Sequence, residues 1–282
     1  MTTRSTPAGL DLRPSPLTVR ILSAFVFIGI VIGAVLLGKY GAYALVVVLA
    51  GLALWEFREL SDKMGSRAPS WILFPLGAFF AFSGTVLKSV DLGVVLSIAL
   101  VAGLGAFLFV PGSRQGLGRW AMGMAGALYI GLPFNYYLVL FSSKPHGLVW
   151  ALFTIFAVVA TDAAALLVGS RLGRTPFFAN ISPKKTVEGA MAGVIAAVLV
   201  MLVGVSVVIG ISPIHAILLG ILVGGAAMTG DLVESQMKRI AEVKDSGHLI
   251  PGHGGVLDRL DSILFPPIVV FFYVSLFGLL TR

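Results

Sequence analysis

The stretch Ser235–Asp261 reads SQMKRIAEVKDSGHLIPGHGGVLDRLD, and the rest of the chain is organised around it. It is the only long interval in which charged residues, histidines and glycines replace an otherwise apolar background. Six of the 13 acidic residues lie between Asp231 and Asp261. Charge concentrated beside a membrane is energetically costly and usually serves a function. The stretch therefore predicts a catalytic segment in a membrane-embedded protein.

The composition excludes an ordinary soluble domain. The mean hydropathy is +0.99, with 57% apolar and only 12% charged residues, whereas soluble domains carry about 25% charged residues. The 282 residues suit a single polytopic membrane domain. The chain has no cysteine, which excludes disulfides and thiolate metal sites. The net charge of +7 does not predict a nucleic-acid partner, because the positions of the basic residues follow the positive-inside rule for membrane proteins.

The long apolar segments of the sequence predict transmembrane helices. A membrane-spanning helix needs roughly 20 apolar residues, and by this criterion the sequence predicts an all-α, polytopic integral membrane protein of about nine transmembrane helices. The nine candidates are 19–38, 41–57, 71–87, 92–110, 120–141, 148–169, 187–210, 213–230 and 263–280. The polar residues 1–18 are predicted to form a disordered cytoplasmic tail.

Lysine and arginine predict the orientation. With a cytoplasmic N-terminus, 16 of the 20 basic residues fall in cytoplasmic segments, and the outer segments hold only Lys39, Lys88, Lys144 and Arg282. This is the bias expected from the positive-inside rule. It places two polar loops, 170–186 and 238–262, on the cytoplasmic side. We thus expect N-terminal transmembrane helices over 19–147 and a catalytic transmembrane region over 148–282.

Four polar residues share one face at the end of the eighth predicted helix. Asp231, Glu234, Ser235 and Lys238 have offsets of 0, 3, 4 and 7, which align on a helix. The alternative is a solvated helix end with ordinary pairing between residues three and four apart.

A glycine-rich segment follows Lys244 and Asp245. Gly252, Gly254 and Gly255 would let backbone amides approach an anion, as in phosphate-binding loops. Asp258 and Asp261 come next, three residues apart, and carboxylates without thiolates suit Mg²⁺. A metal shared by Asp231 and Asp258 would join helices eight and nine. The alternative is a polar loop containing an Asp–Arg salt bridge.

Two further features lie upstream. Asp162 sits within an apolar run, where an unpaired carboxylate is costly, so it should face the bundle interior and meet a cation or metal. The segment Ser182–Gly189 places Lys184, Lys185, Thr186 and Glu188 at the start of helix seven, where amides and cations favour phosphate. The alternatives are a hydrogen-bonded core aspartate, and lysines that only mark the inner face.

The histidines give a weaker signal. His253 lies between glycines and could contact a phosphate. The five-residue separation of His248 and His253 is not the His-Glu-x-x-His spacing of zinc proteases, so zinc is rejected.

At these residues the sequence resembles the phosphatidate cytidylyltransferases, also called CDP-diacylglycerol synthases. The family signature is Ser-x-hydrophobic-Lys-Arg, four residues, Lys-Asp, a Pro-x-His-Gly-Gly loop, and Asp-Arg-x-Asp. It is matched without departure by Ser235, Met237, Lys238, Arg239, Lys244, Asp245, Gly247, Ile250, Pro251, His253, Gly254, Gly255, Val256, Asp258, Arg259 and Asp261. Asp162, the Lys-Lys-Thr-x-Glu-Gly segment and Gly230-Asp231 extend the resemblance over about residues 150–265.

The resemblance implies that CTP and phosphatidate react to give CDP-diacylglycerol and pyrophosphate, with Mg²⁺ as cofactor and a second cation compatible with so many carboxylates. It also suggests a multi-pass protein of the cell membrane, a cytoplasmic active site and a homodimer. The metal ligands would be Asp231 and Asp258, then Asp261 and Asp162. Catalytic roles would fall to Asp231, Asp258, Asp261, Lys238, Lys244 and Asp245. The triphosphate or the lipid phosphate would be clamped by Lys238, Arg239, Lys244 and Arg259. Substrate contacts would come from Lys184, Lys185, Thr186, Glu188, Ser235, Arg239, His253, Gly254, Gly255 and Arg259.

Three other functions fit parts of the sequence less well. A lipid kinase of the polyprenol kinase type would use similar loops but transfer the γ-phosphoryl group, and the complete signature disfavours it. A secondary transporter would use Asp162 for ion coupling, but it leaves the basic, glycine-rich loop unexplained. A CDP-alcohol phosphotransferase is disfavoured because its Asp-Gly-x-x-Ala-Arg signature is absent.

Overall fold

A computed structural model describes residue 26 and residues 29–86, 91–107, 113–250 and 254–280. The predicted tail over 1–18 and much of the first predicted helix lie outside these residues. A helical segment over 29–36 leads into the helices that follow. In chain order these are α1 Gly38–Lys63, α2 Ser70–Phe82, α3 Leu92–Phe107, α4 Ser113–Ser142, α5 Gly147–Leu172, α6 Val187–Met201, α7 Pro213–Ile240, α8 Leu257–Leu264 and α9 Pro266–Leu276. A π-helical turn, Leu202–Ser206, extends α6 into Val207–Ile209.

The predicted all-α, multi-pass membrane architecture is confirmed. The described part of the chain contains no β-strand, only two isolated bridges. Within it, six helical segments are long and apolar enough to span a membrane: Gly38–Lys63, Gly116–Ser142, Gly147–Leu172, Val187–Ile209, Pro213–Ile240 and Leu257–Leu276. Two shorter apolar helices, Ser70–Phe82 and Gly93–Gly105, coincide with predicted segments. The count of nine spans stays a prediction.

The helices beside the polar loops are longer than hydropathy indicated. Helix α7 continues past the expected end at 230 to Ile240, because hydropathy falls at Asp231 while the sequence still favours helix. Lys238 and Arg239 lie in its last turn, where basic side chains interact favourably with the helix dipole. The loop between α7 and α8 is therefore 241–256, and the loop between α5 and α6 is 173–186.

Glycines allow the helices around these loops to approach backbone to backbone. A Cβ at Gly189 or Gly193 of α6 would collide with carbonyl oxygens of α5, and one at Gly230 of α7 would collide with the carbonyl of Asp261 in α8. Small residues in membrane helices commonly permit such packing. Gly225, in contrast, has nothing within 4 Å of its Cβ position. The close pairs hold α6 against α5 and α8 against α7.

Among the described residues, the buried apolar side chains form two separate hydrophobic cores. One is built mainly from α5, α6, α7 and α9. The other joins α1, α2 and α4 to Val256 and to Leu257, Leu260 and Leu264 of α8. Helix α8 thus follows the polar loop in sequence but packs on the N-terminal helices, so the N-terminal half of the chain supports the segment that carries Asp258 and Asp261.

Candidate functional site

A cavity of about 620 Å³ opens where α5, the start of α6, the end of α7 and α8 meet. Its volume is in the range typical of small-molecule sites. The charged residues that line it come from four separate parts of the sequence. They are Asp162, Lys184, Lys185, Asp231, Asp258, Arg259 and Asp261. The lining also includes Ser170, Phe177, Thr186 and Ser262. The structure therefore brings together all four expected metal ligands and four of the expected substrate contacts.

The basic loop and the acidic helix meet directly across this cavity. Lys185 Nζ lies 2.5 Å from Asp231 Oδ2, with both side chains partly exposed. Ser235 Oγ donates to Asp231 Oδ1 at 3.3 Å from one helical turn further on. The Asp231 carboxylate, at the edge of the cavity, is thus held by one cation and one hydroxyl.

Lys238 lies beneath the cavity and does not line it. Its ammonium donates to Glu234 Oε2 at 2.8 Å and to Asp258 Oδ1 at 2.7 Å. The side chain of Glu234 is 0% exposed, that of Asp258 is 6% exposed, and that of Lys238 is 15% exposed. The pairing between residues four apart is present, but it is buried, so the interpretation as a solvated helix end is wrong.

Asp258 is the most fully bonded of the expected ligands. Its Oδ2 accepts from the amides of Ser246 and Gly255 at 2.9 and 2.8 Å and from the Ser246 hydroxyl at 3.0 Å, while Oδ1 holds Lys238. The amide of Gly255, expected to cradle a phosphate, is therefore bonded to an internal carboxylate. Gly254 has a φ of +83°, which glycine adopts readily.

Asp162 and Asp261 complete the acidic side of the cavity. Asp162 lies ten residues before the end of α5, about 15 Å along the helix axis. Its carboxylate interacts electrostatically with Asp261, Asp231 and Lys185. Asp261 Oδ1 accepts from the amide of Ser262 at 2.6 Å. Three carboxylates that repel one another across a cavity favour the binding of a cation there.

Among the residues that the structure describes, no three histidine, aspartate or glutamate side chains converge closely enough to hold a metal alone. Mg²⁺ does not require three protein ligands, because it usually takes one or two carboxylates and completes its shell with water and substrate phosphates. The donor set is all oxygen, as Mg²⁺ requires. Asp162, Asp231 and Asp261 thus fit as residues that could each supply an oxygen to a bound Mg²⁺ ion.

The loop 173–186 is held in place from both ends. Thr186 is the N-cap of α6 and accepts from the Gly189 amide at 3.2 Å. Glu188 accepts from the Arg174 amide at 3.1 Å and from the Thr175 hydroxyl at 2.8 Å. Arg239 Nε donates to the Ile181 carbonyl at 3.1 Å, which ties the loop to α7. Glu188 and Arg239 therefore position the loop and do not line the cavity.

The remaining expected site residues lie away from the lining. Lys244 is exposed and Asp245 is half-buried in the loop 241–256. Ser235, Gly254 and Gly255 also lie outside the lining. His253, with its neighbours Pro251 and Gly252, falls outside the described residues.

Sequence reasoning missed three residues. Glu56 of α1 is 4% exposed and accepts from the amides of Val256 and Leu257 at 2.9 and 2.7 Å. The sequence did contain a signal for Glu56, because an acidic residue inside the predicted transmembrane helix 41–57 is as unusual as Asp162 in its apolar run. Ser246 touches both Asp258 and Glu56. Phe177 is the one aromatic side chain in the described lining of the cavity, and its ring packs edge to face on Phe178 at 4.8 Å.

Comparison with known proteins shows the family of this chain. The model of the cytidylyltransferase family matches residues 18–277. A phosphatidate cytidylyltransferase of Bacillus subtilis is 32% identical over 92% of this chain and 96% of its own length. Proteins of the same name from Synechocystis and Brucella suis are 32% and 34% identical, covering 92% and 94% of this chain and 97% and 95% of theirs. The resemblance found in the sequence is confirmed, and the chain belongs to the cytidylyltransferase family.

Proposed function

We propose that this protein transfers the cytidylyl group of CTP to phosphatidate, giving CDP-diacylglycerol and pyrophosphate for phospholipid biosynthesis. The observation that carries the proposal is the single cavity in which Lys184, Lys185 and Arg259 face Asp162, Asp231 and Asp261. Three cations and three acids around one space suit a triphosphate accompanied by a metal ion. The names of the relatives supply the substrates.

The reaction needs charge neutralisation more than proton transfer. A phosphate oxygen of the lipid attacks the α-phosphorus of CTP, and the bond from that phosphorus to the bridging oxygen of pyrophosphate breaks. The nucleophile is already anionic near neutral pH, so no strong general base is required. Lys184, Lys185 and Arg259 would neutralise phosphate charge as it shifts to the leaving group. Lys185 would exchange its contact with Asp231 for one with the triphosphate.

Mg²⁺ is the cofactor that fits the donors. When bound, it would neutralise phosphate oxygens and orient the leaving group. Asp231, Asp261 and Asp162 would hold it from the acidic side of the cavity. Asp258 was expected as a ligand, but its Oδ1 is bonded to Lys238. We therefore assign Asp258 the role of orienting Lys238 and the loop, with metal ligation only if Lys238 moves away.

Phe177 is our candidate for contact with the cytosine base. It lies beside Lys184 and Lys185 in the lining, and its amide donates to the Lys185 carbonyl at 2.8 Å. Stacking on an aromatic ring is a common way to bind a base. The base would then lie on the loop side of the cavity while the phosphates lie over the acids.

The membrane arrangement follows from the distribution of basic residues. We propose nine spans, a cytoplasmic N-terminus and a site open to the cytoplasm of the cell membrane. With this orientation 16 of 20 basic residues are cytoplasmic. The two loops that border the cavity would then meet CTP from the cytoplasm, while phosphatidate enters from the bilayer. A homodimer stays a prediction.

The test uses CTP labelled at the α- or γ-phosphate, incubated with the purified protein, phosphatidate and Mg²⁺ in detergent micelles. We expect the α label in the lipid phase and the γ label in released pyrophosphate. Transfer of the γ label alone to lipid would make the protein a kinase. Absence of any transfer would refute the proposed reaction and favour the transporter alternative.

A further inference from the structure

Glu56 is a buried acid in α1, remote in sequence from every residue of the proposed site. It is 4% exposed and is flanked by the buried apolar residues Leu54 and Phe57. Placing a carboxylate in such surroundings is costly unless its oxygens are hydrogen-bonded. Its bonding partners all lie about 190–200 positions further along the chain, around the loop 241–256.

The partners are the amides at the start of α8. Glu56 Oε1 accepts from the Val256 amide at 2.9 Å, and Oε2 accepts from the Leu257 amide at 2.7 Å. The first amides of a helix have no acceptor within the helix and carry a partial positive charge. Val256 is the N-cap position of α8 and cannot cap the helix with its own apolar side chain. Glu56 performs that capping from another helix.

Two glycines of the signature make room for this carboxylate. A Cβ at Gly247 would collide with the carboxyl and γ-carbon atoms of Glu56, and one at Gly255 would collide with Glu56 and Ser246. Neither glycine has a positive φ, so conformational freedom does not explain them. Their absence of a side chain instead lets the loop close around Glu56.

Glu56 is also linked to the acids of the cavity. The Ser246 hydroxyl lies 3.0 Å from Asp258 Oδ2 and 3.4 Å from Glu56 Oε2. Asp258 holds the loop from the cavity side through the Ser246 and Gly255 amides. Helix α8 has only eight residues and carries both Asp258 and Asp261, so a shift at its first turn would move both carboxylates.

We propose that Glu56 is a positioning residue, which fixes the first turn of α8 and thereby places Asp258 and Asp261 at the cavity. This gives the N-terminal helices a role in the site, although none of their described residues lines the cavity. The catalytic consequence rests on the proposed cytidylyl transfer. The positioning contact itself does not, and it can be measured separately.

The first measurement is amide hydrogen exchange over residues 245–264 in Glu56→Gln. The variant keeps the shape of the side chain but points an NH₂ group at one of the two amides. Loss of a hydrogen bond to a charged acceptor is expected to raise exchange at the start of α8 by about 10- to 100-fold. The control, Glu59→Gln, removes an exposed acid of α1 that pairs with Arg58 and Arg67. Unchanged exchange in Glu56→Gln would overturn the proposal whether or not the protein transfers cytidylyl groups.

The second measurement separates positioning from simple loss of folded protein. Per folded molecule, Glu56→Gln is expected to lower kcat about tenfold or more and to raise the Mg²⁺ concentration for half-maximal rate, because Asp261 is displaced. Glu56→Asp, which keeps the charge, should recover part of kcat. Activity that falls only with the folded fraction, at an unchanged Mg²⁺ requirement, would overturn a positioning role.

A third variant covers the case in which Glu56→Gln does not fold. Gly247→Ala introduces a methyl group whose nearest neighbours are all atoms of Glu56. We expect it to lower kcat in the wild-type background and to have little further effect in Glu56→Asp, where the carboxylate is withdrawn by one methylene. Equal effects in both backgrounds would show that Gly247 and Glu56 act independently and would refute the contact.

Discussion

Replacing Lys238 with methionine should destabilise the protein strongly, because its ammonium is bonded to two buried acids. Its ammonium bonds Glu234 and Asp258 at 2.8 and 2.7 Å, and their side chains are 0% and 6% exposed. Removing one partner of a buried ion pair costs about 3–5 kcal/mol, since a charge is left uncompensated. A neutral hydrogen bond between membrane helices contributes only about 0.6 kcal/mol on average. The predicted loss is therefore several times that of an ordinary polar contact.

The assay is equilibrium unfolding in detergent micelles, followed by circular dichroism, for wild type, Lys238→Met and the double variant Lys238→Met/Glu234→Gln. We expect Lys238→Met to lower the free energy of unfolding by about 3–5 kcal/mol, and the added Glu234→Gln to restore about 2 kcal/mol, because one of the uncompensated charges is removed. Lys63→Met, at an exposed lysine near the end of α1, serves as control and should change stability by less than about 0.5 kcal/mol.

The reasoning would be refuted if Lys238→Met were as stable as the Lys63→Met control. It would also be refuted if adding Glu234→Gln lowered stability further. Either result would mean that Lys238 does not compensate these carboxylates, and it would restore the expectation that its ammonium acts on substrate phosphate.

Three other substitutions probe the cavity and its loop. Asp231→Asn should lower kcat by roughly 10²–10³-fold and leave the protein folded, since the residue is partly exposed; near-normal turnover would remove Asp231 from the reaction. Phe177→Ala should raise the KM for CTP by about 5- to 150-fold, equivalent to about 1–3 kcal/mol of base stacking, with kcat changed less; an unchanged KM would exclude stacking on this ring. Thr186→Ala removes the N-cap of α6 and should cost about 1 kcal/mol, seen as faster proteolysis within 173–186. Thr229→Ala removes the same atoms at an exposed position of α7, where the hydroxyl donates only to the Gly225 carbonyl of its own helix, and should be cleaved like wild type.

The helical architecture could be predicted because hydropathy and helix geometry act locally. The predicted segments 71–87, 120–141 and 148–169 all coincide with helices. Hydropathy failed at the end of α7, where charged residues continue the helix to Ile240. A membrane boundary and a helix end are different properties, and only the first is reported by apolar character.

The candidate site was predictable where residue type alone indicates function. Asp162, Lys185, Asp231 and Asp261 were found in this way, and they line one cavity. The sequence did not show which charged residues line the cavity and which form internal ion pairs. Lys238 was expected to bind phosphate and instead holds buried acids, because the burial of Glu234 follows from helix packing that no local pattern encodes.

The contact of Glu56 with α8 was also not predictable from local sequence, because the partners are far apart in the chain. Its partners are about 200 residues away, and nothing in the neighbourhood of Glu56 identifies them. Of the two glycines that make room for Glu56, Gly255 was expected to cradle a phosphate and Gly247 was only a position of the family signature, because the sequence shows only that a side chain is missing. In the structure, the carboxylate of Glu56 occupies the space beside these two glycines.

The central claim is that CTP binds in the cavity between the loop 173–186 and α8. The chain has no cysteine, so a single cysteine can be placed and labelled cleanly. Ser170 lines the cavity, and Ser142 is exposed at the end of α4 in a predicted outer loop. The measurement is the rate of maleimide labelling of Ser170→Cys in detergent micelles, where both faces of the protein meet the reagents, with and without CTP and Mg²⁺, beside Ser142→Cys. We expect CTP with Mg²⁺ to slow labelling of Ser170→Cys only. Equal labelling of Ser170→Cys with and without CTP, in a variant that still turns over, would contradict the placement of the substrate.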